Sequence, residues 1–291
     1  MSNIDNTLYT KIFEESISPL KPIGTYYNNT INLKFKPKVV LFDIYGTLLI
    51  SRAGEVGTTI KSKTSIMNEV LNRYGLPIKN IDYTHTFRHL IEENHKERIN
   101  EGILHPEVDI LDIWKQFLNS TFERNFPRDI LKQIAMTYEC LNNPVYLMPD
   151  ADKTISILKD NNIRLGIVSN AQFYTKPILE YLFQKKIDEI GFDNNLVTWS
   201  YIKKISKPSL CIFQDIIEQL ANTGIHSSDV CYIGNDILND IYTAQNLGFK
   251  GILFAGDKRS LRLRKKDPRC KHIIPDGIIS DLNYLSKWIN E

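Results

Sequence analysis

Apolar residues along the chain change their period at a few well-marked places. Val39-Val40-Leu41-Phe42 is an unbroken apolar run that ends in Asp43, with Gly46 three residues on. Such a run is the pattern of a short strand buried on both faces of a parallel sheet. Just before it, residues 30–36 alternate apolar and polar side chains as a half-buried strand does, and Pro37 stops the alternation. From about Ser51 to Asn143 the period becomes helical. Residues 61–74 repeat at helical spacing up to Gly75, with Pro77 just beyond. Residues 83–99, 108–122 and 129–141 give three more helices, and Ile110, Leu111, Ile113, Trp114 and Leu118 share one broad face. After Met148-Pro149-Asp150, apolar runs at 163–169, 196–200, 229–233 and 251–254 alternate with helical patterns at 150–160, 174–184, 208–220 and 237–247. Helices are also expected at 6–17 and at 280–289.

Strands alternating with helices predict an α/β fold, a doubly wound parallel sheet covered on both faces. The core is then Rossmann-like and built from residues 38–50 and 146–291. Residues 51–145 form an all-helical insertion with a role the pattern leaves open, and residues 1–37 an N-terminal extension added at the edge of the core without chemistry of its own. Asp43 stands where a buried strand gives way to a turn, which is where open α/β sheets bind ligands. Asp also caps turns as a routine structural residue, so the strand end alone leaves both readings open.

Composition narrows the class without choosing a function. The apolar and charged fractions, 42% and 24% of 291 residues, are those of an ordinary globular protein. A formal charge of +2 gives no reason to expect nucleic acid. No apolar stretch is long enough to span a bilayer, and Met1-Ser2-Asn3-Ile4-Asp5 lacks the features of a secretory signal, so a cytoplasmic protein without a membrane partner is expected. Cys140, Cys211, Cys231 and Cys270 form no Cys-x-x-Cys pair and read as structural. The triplets Asn28-Asn29-Thr30 and Asn119-Ser120-Thr121 carry no meaning without secretion. His85 and His89 lie one turn apart in the insertion, with His95 further on, but no acidic third ligand stands at a telling spacing. Between Asp257 and Lys271 lies a basic run that includes Arg259, Arg262, Arg264 and Lys265. It reads as a solvated face, or alternatively as arginines that fix the site from behind.

Asp43-Ile44-Tyr45-Gly46-Thr47-Leu48 resembles the first motif of the haloacid dehalogenase superfamily. Three further motifs follow in order. Ser169 ends Leu165-Gly166-Ile167-Val168 like the second, Lys207-Pro208 is similar to the third, and Gly234-Asn235-Asp236 with Asp240 resembles the acidic fourth. The likeness runs from about Lys38 to the C-terminus, and the helical insertion resembles the cap that many members carry. It implies Asp43 as a nucleophile that forms a covalent intermediate. It further implies Thr47, Ser169 and Lys207 as catalytic partners, with Tyr45, Gly46 and Asn170 at the substrate. Mg²⁺ is the implied cofactor, held by Asp43, the Tyr45 carbonyl and Asp236, with Asp240 as a ligand or just behind.

Tyr45 departs from the family's phosphatases, which carry a second aspartate there as general acid. Asp-x-Tyr-Gly-Thr is instead the dehalogenase form, and a halide leaves unprotonated. The paired acids of the fourth motif point back toward a metal-dependent enzyme. The resemblance therefore implies a hydrolase of a small, phosphorylated substrate, with two alternatives: a metal-independent 2-haloacid dehalogenase, or a non-catalytic member that binds a phosphorylated ligand.

Overall fold

The structure, a computed structural model, describes residues 4–54 and 64–290. The first three residues of the helix expected over 61–74 lie outside the described residues, as do the first three of the chain. In chain order, helix α1 (Ile4–Ser16) and strand β1 (Thr30–Ile31) precede β2 (Val39–Phe42) and β3 (Leu49–Ser51). Helices α2 (Thr64–Arg73), α3 (Tyr83–Asn100), α4 (Ile110–Phe122) and α5 (Arg128–Asn142) follow. The chain then passes through β4 (Val145–Leu147), α6 (Ala151–Asp160), β5 (Arg164–Ser169), α7 (Thr175–Phe183) and α8 (Ile187–Ile190). Next come β6 (Phe192–Trp199), α9 (Ser200–Lys203), α10 (Gln214–Asn222), β7 (Val230–Gly234) and α11 (Thr243–Asn246). β8 (Lys250–Phe254), β9 (Gly277–Ile279) and α12 (Asn283–Asn290) complete it.

The unbroken run Val39–Phe42 is buried at every position because it has a neighbour on each side and helices on each face. β2 pairs in parallel with β5 and with β7, within a seven-stranded sheet ordered β1-β9-β8-β7-β2-β5-β6. β1 alone runs antiparallel, against β9. It is much shorter than the strand expected over 30–36, and it caps the sheet edge with two residues. Phe42 lies opposite Ile167 of β5 and Ile233 of β7, so the next residue of β2 emerges at the carboxyl edge between two strand ends.

The inserted helices owe their order to local signals and one aromatic cluster. Asp109 caps α4 by accepting a bond from the Leu111 N–H at 2.9 Å, and Asp82 does the same for α3 through His85 N–H at 3.0 Å. Phe87 packs 4.7 Å from Trp114, and Trp114 lies 5.2 Å from Tyr138, so α3, α4 and α5 meet on aromatic faces. β3 and β4 pair antiparallel where the chain leaves for these helices and returns. Helix α1 bridges the two parts: it packs on α5 and on α7, with the Phe13 ring 4.9 Å from that of Tyr181. Among the described residues, no helix is long and apolar enough to cross a membrane.

Gly166 lies mid-strand in β5, where a Cβ would sit 2.6 Å from Leu41 Cδ2 and closer still to the Leu196 carbonyl oxygen. Backbone cannot give way as a side-chain tip can. Gly166→Ala is therefore expected to cost about 1–3 kcal/mol, the usual range for overpacking. An unchanged urea midpoint would show that β5 and its neighbours are not packed this closely.

Candidate functional site

The site begins with the turn after β2. The Asp43 N–H still belongs to the sheet, donating to Ile233 O at 2.9 Å, and the chain then folds back so that Thr47 and Leu48 bond to Ile44 O. Gly46 adopts φ of 84°, in the left-handed region, and a Cβ there would press on Ser260 and on the Asn235 amide. Glycine is what this turn permits. The result is a carboxylate held at the sheet edge, nearly buried, facing the ends of β5 and β7.

Lys207 fills the space beside it. Its ammonium lies 2.9 Å from Asp43 Oδ1, 2.6 Å from Asp240 Oδ1 and 2.7 Å from the Tyr232 hydroxyl, which passes the chain of bonds on to Val168 O at 2.6 Å. Burial would lower the ammonium's pKa, but Asp240 and Asp43 outweigh it and hold the pKa above the ordinary lysine value. Asn170 fixes the backbone of Lys207 at two points, accepting from its N–H at 2.8 Å and donating to its carbonyl at 3.1 Å. Burial, opposed by Lys207 and aided by repulsion from Asp43 and Asp236, pushes the Asp240 carboxyl up to about 7.

Asp236 has a different cation. Arg264 grips it with two nitrogens, Nε at 3.1 and 3.0 Å from the two oxygens and Nη2 at 2.6 Å from Oδ2. Asp236 Oδ1 also accepts from the N–H groups of Leu238 and Asn239 at 2.9 and 3.2 Å, the capping role expected at a helix start. Arg264 reaches this place because its loop is bonded to the strand end. Arg262 N–H donates to Asn235 O and Ile237 N–H to Arg262 O, both at 2.9 Å.

Asp43, Tyr45, Asn170, Lys207, Asp236 and Asp240 line one cavity of about 480 Å³. Thr47, Gly46 and Ser169 stand behind it. Thr47 and Ser169 are fully buried, the Thr47 hydroxyl directed to Asn235 Oδ1 at 3.4 Å and that of Ser169 to Asn170 O at 3.5 Å. The Tyr45 hydroxyl is paired with Thr175 Oγ1 at 2.9 Å, and burial above all raises its pKa well beyond that of an ordinary phenol. Arg262, Arg264, His95 and Glu107 share the same cavity. Sequence reasoning touched the arginines only through a charge run, and it missed Glu107 because a single glutamate in a cap connection carries no motif. Burial pushes the Glu107 carboxyl up to about 7, against bonds from Ser200, the Val108 N–H and Gln172. His85 and His89 stack at 6.2 Å on the outside of α3, where His89 meets Glu93.

A magnesium ion held by Asp43, the Tyr45 carbonyl and Asp236 needs carboxylate oxygens open toward one point. Both oxygens of Asp236 are engaged by Arg264, and those of Asp240 by Lys207 and the Asp236 N–H at 2.9 Å. Among the described residues, no group of three or more His, Cys, Asp or Glu is placed to hold a metal ion. As these side chains are disposed, they do not fit Mg²⁺.

No curated protein matches the chain at a significant level. Among solved structures it is similar to a 2-haloacid dehalogenase from Pseudomonas syringae pv. Tomato, at TM-score 0.58 and 18% identity over 87% of this chain and 98% of that one. It is also similar to the putative hydrolase YfnB from Bacillus subtilis, described as bound to magnesium, at TM-score 0.51 and 16% identity over 88% and 100%. A phosphatase from Thermococcus onnurineus matches at TM-score 0.49 and 21% identity over 87% and 97%. At these identities the likeness is one of fold. The family model of haloacid dehalogenase-like hydrolases matches residues 37–248, and with the sheet order and Asp43 at its carboxyl edge the chain belongs to that family.

Proposed function

We propose that this hydrolase acts on a small phosphorylated compound through a covalent aspartyl phosphate on Asp43. The Asp43 carboxylate attacks phosphorus, the bond to the ester oxygen breaks, and that oxygen takes a proton from Glu107. Water then attacks the aspartyl phosphate, giving its proton back to Glu107 as the phosphorus–Asp43 bond breaks. Lys207 positions Asp43 through its bond to Oδ1 at 2.9 Å, and Arg262 faces the same cavity with fixed positive charge for the phosphoryl oxygens. A cavity of this size suits a small molecule.

The observation that carries this reading is Glu107. A carboxyl raised to about 7 in the same cavity as Asp43 is an acid suited to neutral pH, and it comes from the cap instead of from the tyrosine of the first motif. An ester oxygen needs that proton, whereas a halide does not. The dehalogenase reading keeps its own support, since the Tyr45 hydroxyl is tied to Thr175 and the acids of the fourth motif are already paired.

Asp43→Asn is expected to abolish turnover of every substrate and to lower the urea midpoint, since Lys207 loses a buried partner, while the circular dichroism spectrum stays that of the folded protein. Near wild-type rates in that variant would remove the nucleophile from the reading.

Glu107→Gln is expected to slow alkyl phosphates by about 10²–10⁴-fold and aryl phosphates by much less, because only poor leaving groups need a proton in the transition state. Equal losses on both classes would leave Glu107 a merely structural role. If only chloroacids are turned over, the dehalogenase reading takes its place.

The active form of Glu107 is the protonated one, so kcat/KM on alkyl phosphates should fall as pH rises through about 7. Glu107→Gln should lose that limb. An alkaline limb that persists unchanged in the variant belongs to another group.

A further inference from the structure

We propose that Arg264 is the resident counter-cation of Asp236, neutralising that carboxylate without a divalent metal, and that Arg264 is what keeps a metal out. This rests on Asp43 as the centre of the site, and not on the choice between phosphoryl and halogenated substrates.

Three carboxylates crowd the sheet edge, and two cations sit among them with short contacts. Lys207 bridges Asp43 and Asp240 at 2.9 and 2.6 Å, and Arg264 holds Asp236 at 2.6 Å. A guanidinium is charged at every pH a protein survives, and its fork matches a carboxylate edge to edge. It therefore occupies the edge of Asp236 that a small hard cation would use. The remaining capacity of Asp236 Oδ1 goes to the N–H groups of Leu238 and Asn239, so the carboxylate is oriented from both sides.

Arg264 is also held in place before any ligand arrives. Its loop is stitched to the end of β7 through Asn235, Arg262 and Ile237. Behind it the Asp257 carboxylate, itself buried, binds the Arg259 guanidinium at 2.8 Å and accepts from the Ile23 N–H at 3.2 Å. Arg259 in turn donates to Lys21 O at 2.6 Å, and the Lys258 N–H to Ile23 O at 2.7 Å. The N-terminal extension thus clamps the loop that delivers Arg264. A metal would have to unseat a preorganised fork, with only the gain of one more positive charge.

The test is calorimetric titration of the full chain with MgCl₂ to several millimolar, checked with Mn²⁺ by electron paramagnetic resonance. The wild type should give no saturable heat and leave the free Mn²⁺ signal undiminished. Arg264→Gln should gain saturable binding of both ions, and adding Asp236→Asn should abolish it again. Arg264→Lys, which keeps a cation beside Asp236, should bind less metal than Arg264→Gln. Saturable wild-type binding below millimolar overturns the proposal. So does a folded Arg264→Gln protein that still binds neither ion, because the exclusion then lies elsewhere. If that variant does not fold, the wild-type Mn²⁺ measurement decides alone. Neither readout needs turnover, so failure of the phosphatase reading would show in the rates on alkyl phosphates, aryl phosphates and chloroacids and not here.

Discussion

A buried ammonium between two buried carboxylates is the constraint on which the site depends. Taking Lys207 out of water is costly, and only the short contacts to Asp43 and Asp240 compensate for it. The converse holds for Asp240, whose carboxyl burial pushes up to about 7 against the opposing charge of Lys207. The triad is therefore fixed as a unit, and its position requires three strand ends to arrive in register. β2 supplies Asp43, β5 leads into the Asn170 clamp on the Lys207 backbone, and β7 leads into Asp236 and Asp240. Tyr232 accepts from Lys207 Nζ and donates to the Val168 carbonyl, which Lys207 Nζ also reaches directly at 3.1 Å. Removing either end of this chain leaves a desolvated polar group behind, which costs more than the bond itself contributes.

Asp236 escapes the triad by having a separate cation, and that separation links distant parts of the chain. The arginine loop lies after β8, yet it bonds to residues 21 and 23, which precede the first strand of the core, through the Arg259 guanidinium and the Lys258 N–H. The extension also places α1 against α5 and α7. An edge addition that has no catalytic residue of its own thus has two structural effects on the site, bracing the arginine loop and tying the helical insertion to the core. Strand β1 closes the sheet edge at the same time, with too few residues to template another chain.

Some of this was legible in the sequence, for physical reasons that differ from residue to residue. β2, β5 and β7 announced themselves because strands buried on both faces must be apolar throughout. Asp43 stood out as a charged residue at the end of such a run, Lys207, Asp236 and Asp240 by their likeness to the later motifs, and the structure brings all four to one cavity. Thr47 and Ser169 carry the same motifs but are fully buried behind residues that line it, their hydroxyls directed to Asn235 and Asn170, and spacing does not encode that depth. β3, β4 and β9 are three residues each, too short for a period to register. The helix expected over 237–247 forms as a π-helical stretch, Ile237–Tyr242, before α11, a change that carries Asp240 Oδ2 onto the Asp236 N–H. Arg264 and Glu107 lie in irregular connections, and only tertiary packing decides what such residues face.

Glu107 shows how the helical insertion could control the chemistry beneath it. Residues 105–107 run against residues 204–206, with Ser206 N–H bonded to His105 O at 2.9 Å and Glu107 N–H to Lys204 O at 3.1 Å. The next residue in the chain is Lys207. One short strap therefore seats the insertion on the segment that delivers the central ammonium. Gln172 adds to the seat, donating to Glu107 and to Val108 O while accepting from the Ile110 N–H. The raised pKa of Glu107 comes first from burial, and that burial exists only while the strap is in place. Without the strap, Glu107 would be in water and, like an ordinary glutamate, already ionised at neutrality. In the proposed reaction the strap therefore has a second effect, because the contacts that seat the insertion are also those that keep Glu107 buried and protonated near the cavity.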